Sequence, residues 1–178
     1  MSNETTTASG WRADPAAGRI AIVSGIVAAV GVVCLILFYV LYFATPLKDV
    51  GSFFGGLNDA LIAIQYLLTI PLALSLRRIL RPHAPRRIEV ATFVGIASML
   101  AVVALQTALV FGVLTFQQQV LWVSLAMIVG VGFWLVTTAL VARATGRFPQ
   151  SLRMSLVAVP YLGYPIWAFW LGKLLLRF

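Results

Sequence analysis

Few side chains in this sequence are of a kind that could do chemistry, and they stand far apart. Asp59 precedes the pair Gln65-Tyr66, the pair Gln106-Thr107 lies in the next long apolar run, and Pro160-Tyr161-Leu162-Gly163-Tyr164-Pro165 interrupts the last one. A polar side chain at mid-segment needs a partner in hydrocarbon, so these groups could line a path for a neutral or lipophilic solute. Two prolines and a glycine free several backbone carbonyls, and irregular backbone at that depth survives only inside protein or beside a watery cavity. The candidates for a ligand site or pathway are therefore Asp59, Gln65, Tyr66, Gln106, Thr107, Pro160, Gly163, Tyr164 and Pro165. Each also has a plainer role. The glutamines can bond one helix to the next, Asn58 or Asp59 can cap a helix, and the prolines can simply kink a span.

What is missing narrows the chemistry further. No Asp, Glu, Lys, Arg or His falls at the centre of an apolar segment, whereas proton relays, ion-coupled pumps and voltage sensors depend on such residues. There is no nucleotide-binding glycine loop, no paired-cysteine motif and no spaced histidine cluster. Cys34, the single cysteine, reads as a small buried hydrophobe. His83, the single histidine, cannot by itself supply a haem or metal site. The expectation is a protein that is not an enzyme and carries neither cofactor nor metal.

A third group is basic. Arg77, Arg78, Arg81, Arg86 and Arg87 crowd one short turn between two apolar runs and make up five of the thirteen basic residues. Such a cluster beside a span can hold an anionic lipid headgroup, and it also fixes which side of a membrane the turn faces. The formal charge of +8 does not indicate nucleic acid, because the arginines sit in turns next to apolar spans rather than on one interleaved basic face.

The elements that must position these residues are helices in lipid. The 178 residues are 61% hydrophobic and 10% charged, with a mean hydropathy of +0.99, against about 25% charged in a soluble domain. The reading is an all-α polytopic bundle of five transmembrane helices, at about 20–45, 57–80, 88–114, 119–143 and 152–176, after a polar tail over 1–18. Lys48–Asn58, with three glycines, reads as a loop. Val90–Ala142 is uncharged and far too long for one crossing, so it must turn back at Thr115-Phe116-Gln117-Gln118-Gln119. Glu89 suits the positive end of the third helix. Ala17, Ala21, Gly25 and Ala29 on the first helix, and Ala104, Ala108 and Gly112 on the third, leave smooth strips for close helix approach. Trp167 and Trp170 read as an outer aromatic belt.

Five crossings place ten basic residues on one face and Lys48, Lys173 and Arg177 on the other, which puts the N-terminus in the cytoplasm. An alternative makes the fifth segment re-entrant and changes the tally to twelve against one.

The stretch Leu57-Asn58-Asp59-Ala60-Leu61-Ile62-Ala63-Ile64-Gln65 and the ending Leu162-Gly163-Tyr164-Pro165-Ile166-Trp167-Ala168-Phe169-Trp170-Leu171-Gly172 resemble segments of small uncharacterised bacterial multi-pass proteins of domain-of-unknown-function family 4386. The resemblance implies a protein of the bacterial inner membrane and lends no activity. The expected role is an accessory or scaffolding subunit, or a lipid-interacting homo-oligomer. Its partners would be membrane lipids, among them anionic ones, and a membrane protein or a second copy. The alternative is a carrier or channel for a neutral or lipophilic solute.

Overall fold

The computed structural model describes residues 15–145 and 163–177, and every regular element in them is helical. Helix α1 covers Pro15–Ala44, α2 Lys48–Leu80, α3 Pro85–Val110 and α4 Phe116–Ala144. These four are long and apolar enough to cross a membrane. Helix α5, Gly163–Arg177, has 15 residues and follows residues 146–162, which lie outside the described ones. Of the five crossings expected, four are present at full length among the described residues.

The chain runs up and down. Gly51 and Gly55 of α2 face Tyr42 and Phe38 of α1, and Asn58 faces Gly31, so α1 and α2 are antiparallel. On the far side of α2 the basic turn leads to α3, and α3 runs antiparallel to α4, with Gly95 against Trp134 and Ser98 against Gly130. Leu80, Ile88, Val141 and Ala142 form one apolar cluster. The end of α4 therefore sits at the basic-turn end of the bundle, where α1 begins.

Helix α5 lies against α1 with the opposite sense. Gly18 faces Gly172 and Leu176, while Gly25 faces Pro165, Ala168 and Phe169. The start of α5 is thus deep in the bundle and its last turns lie beside the first turns of α1. The ends of α4 and α5 and the start of α1 share one end of the molecule.

The small-residue strip of α1 serves this packing, with Ala17, Ala21, Ser24, Gly25 and Ala28 buried. Ala29, one position round, is only half-buried. The strip expected on α3 is not a packing seam, since Ala104 and Gly112 are exposed and Ala108 is half-buried. Gly112 has a different function. With φ of +70° it ends α3, while Val113 N–H donates to Ala108 O and Gly112 N–H to Leu109 O, the Schellman pattern that satisfies the last carbonyls. Thr115 then opens α4 with a capping box, its side chain bonded to the Gln118 backbone and the Gln118 side chain to its own.

Two expected features are corrected here. Lys48–Asn58 is no loop but the first three turns of α2. Its glycines permit close approach, because a Cβ at Gly51 would lie 2.8 Å from the Tyr42 nitrogen. Glu89 lies past the first turn of α3, which contains no acidic residue, and pairs instead with α2. Within α4, residues Ala126–Val131 widen into a π-helical segment that nothing in the composition announced.

Candidate functional site

The candidate residues do not meet in one place. They divide into two closed polar contacts in the interior, a scattered remainder of which, among the described residues, only Thr107 is exposed, and a basic groove at one end.

The first closed contact forms where α5 begins. The Tyr164 hydroxyl lies 2.7 Å from Ser24 Oγ of α1 and 2.5 Å from Thr69 Oγ1 of α2. Thr69 donates its single hydroxyl proton to the Gln65 carbonyl at 2.7 Å. Thr69 must therefore accept from Tyr164, and Tyr164 in turn accepts from Ser24. The result is a one-way chain from α1 through α5 to α2, in which each donor is used once. By the rise of the two long helices it lies about 14 Å from the start of α1 and about 16 Å from the end of α2, near mid-depth. Beneath it, Trp167 is buried and meets Trp134 of α4 edge-on, with ring centroids 6.2 Å apart. Trp167 is thus no part of an outer aromatic belt, and of the expected pair only Trp170 is exposed.

The second contact is an amide pair. Gln119 Nε2 donates to Gln106 Oε1 at 2.6 Å, with 4% and 1% of the two residues exposed. It joins α3 to α4 near the end opposite the basic turn. Gln106 therefore finds its partner in Gln119 and not in Gln65.

The remaining pathway candidates do not complete a polar route. Thr107 is exposed on the outer face and donates to the Val103 carbonyl at 2.7 Å. Gln65 is half-buried, with its carbonyl engaged by Thr69. Tyr66 is buried in the core cluster. Asp59 is half-buried in the fourth turn of α2, too far into the helix to cap it. Gly163 and Pro165 start α5, and Pro165 packs on Gly25. Pro160 lies outside the described residues.

The basic turn separates into two sets. Glu89 Oε1 accepts from Arg77 at 3.3 Å and from Arg81 Nε at 2.9 Å, which ties α2 to α3. These are the only ion pairs among the described residues, so Arg78, Arg86 and Arg87 face no carboxylate there. Arg86 and Arg87, with His83, open onto a groove of about 730 Å³ whose wall includes Phe133, Thr137 and Leu140 of α4. Position along the sequence could not reveal this split. It depends on Glu89 reaching back across the turn and on α4 returning to the same end.

Ser24, Thr69, Gln119 and Trp134 belong to these sites and are not among the candidates read from the sequence. Only Gln119 had a visible signal, as part of the polar cluster in the long apolar run. Among the described residues no three His, Cys, Asp or Glu side chains are grouped as metal ligands would be. Comparison with known proteins gives no matching family model, no matching curated relative and no matching solved structure.

Proposed function

We propose that this is a non-enzymatic integral membrane protein of the bacterial inner membrane that works by packing against lipids and a membrane partner or second copy. One observation carries the reading. Among the described residues, the polar candidates that meet in the interior bond to one another, Ser24–Tyr164–Thr69 in one place and Gln106–Gln119 in another, instead of facing a shared cavity. A carrier would keep such groups turned toward a cavity for its solute. The outward face supports the same reading, with Ile36, Phe93, Ile128 and Val136 all exposed, as helices in contact with acyl chains require.

We further read the membrane topology as four crossings with α5 re-entrant, so that both termini lie in the cytoplasm. The antiparallel seating of α5 on α1 favours this over a fifth crossing, which would run parallel to α1. Charge favours it too. It leaves Lys48 as the one basic residue on the outer face, a stronger inward bias than five crossings would give. The Ser24–Tyr164–Thr69 chain then holds the inner tip of the re-entrant helix, where lipid offers no hydrogen bond.

Two measurements on the full chain test the functional reading. Reconstituted into vesicles, it should pass glycerol and other small neutral solutes no faster than protein-free vesicles do. Extracted in a mild detergent, it should emerge with bound lipid, a partner or a second copy. Solute flux well above the protein-free rate, or recovery only as a bare monomer, would contradict the proposal.

A further inference from the structure

We infer that the groove between the start of α3 and the end of α4 binds one anionic phospholipid, with Arg86 and Arg87 holding its phosphate-bearing headgroup and the α4 wall taking an acyl chain. The inference deepens the lipid-packing reading above and rests on it. Arginine is suited to phosphate because its planar fork offers two parallel donors, and here neither guanidinium is committed to a carboxylate among the described residues. The contrast within one turn is informative: Arg77 and Arg81 share the carboxylate of Glu89, which offsets one of their two charges and engages a donor on each. His83 at the mouth adds a further hydrogen-bond donor.

Below these groups the lining changes character. Val90, Phe133 and Leu140 are 55%, 45% and 60% exposed and line the groove, with Val141 at its floor. From Thr145 at the mouth to Phe133 the wall descends roughly 18 Å along α4, enough for most of one acyl chain within a leaflet half of the about 30 Å core. A charged mouth at the bundle end above an apolar trough that opens sideways matches a molecule with an anionic head and a hydrocarbon tail. A soluble anion would use the mouth alone and leave the trough uncovered. Phosphatidylglycerol is the lipid of that chemistry to test.

The test uses the full chain in vesicles of phosphatidylcholine containing a minor fraction of phosphatidylglycerol that carries a photoreactive group on one acyl chain. Irradiation and peptide mapping should place the label on the segments containing Val90, Phe133 and Leu140. Arg86→Gln/Arg87→Gln, which alters only exposed side chains, should lower the yield about tenfold. Arg78→Gln/Arg143→Gln removes the same charge outside the groove and should stay within about twofold of the parent. Leu140→Trp, which fills the trough but leaves the charges, should also lower the yield. Equal labelling by photoreactive phosphatidylcholine, equal loss in the two double variants, or label confined to other segments would overturn the site. A groove occupied by the chain's own residues 146–162 would appear as the last of these outcomes. Solute flux would contradict the functional proposal while leaving the labelling pattern intact, so the two failures are distinguishable.

Discussion

Gly95→Leu is expected to prevent accumulation of the folded bundle, and Gly95→Ala to destabilise it by about 1–3 kcal/mol, the usual range for overpacking a core. A Cβ at position 95 would lie 2.6 Å from Trp134 Cβ and 2.7 Å from its Cγ, closer than such atoms approach. These are the root atoms of the tryptophan, not the tip of a flexible chain, so a rotamer change cannot relieve them. Nor can the indole withdraw. Trp134 is 1% exposed and its ring meets Trp167 edge-on. Helices α3 and α4 would have to separate, which would also loosen the seat of α5. Denaturant titration in detergent micelles would read the effect. An alanine variant as stable as the parent would show that these two helices do not approach as closely as Gly95 and Trp134 require.

The second large effect is expected at the amide pair. Gln106→Leu leaves Gln119 buried beside a hydrocarbon side chain with its 2.6 Å bond gone. An orphaned buried amide costs about 1–3 kcal/mol, and the mean of about 0.6 kcal/mol for hydrogen bonds within bilayers sets the lower end of the expectation. The sign of the double variant is the sharper result. Gln106→Leu/Gln119→Leu removes both partners and should be closer to the parent than either single change, because nothing buried is then left without a bond. If the two amides instead faced water in a solute pathway, the single changes would cost little and the double change would not rescue them. The same titration distinguishes the two cases.

How far the sequence revealed this molecule can be seen residue by residue. The helical class, with helices long and apolar enough to cross a membrane, followed from long uncharged runs, since an α-helix satisfies its backbone within one segment. The turn near Thr115 was legible because it holds the one polar cluster in its run. The capping box that Thr115 forms there with Gln118 was not read from the sequence and is a finding of the structure. The extent of α2 was not legible. Glycines read as a loop from local propensity, yet at Gly51 and Gly55 they serve a neighbouring helix, which only the packing of α1 reveals. Partners across the bundle were likewise hidden. Ser24 and Tyr164 are separated by 140 positions, and hydrophobic periodicity carries no information about which polar residue will stand opposite another. The two roles within the arginine cluster required the position of Glu89, and the floor of the groove required the return of α4 to the same end.

The topology can be measured most directly by the sidedness of its ends. In a Cys34→Ser background, single cysteines at Ser2, Lys48, His83 and Phe178 can be exposed in turn to a membrane-impermeant maleimide, in intact spheroplasts and in inverted vesicles. Four crossings with a re-entrant α5 predict reaction at Lys48 only in spheroplasts, and at Ser2, His83 and Phe178 only in inverted vesicles. Reaction of the Phe178 position from the Lys48 side would mean that the last segment crosses, and would contradict the arrangement on which the rest depends.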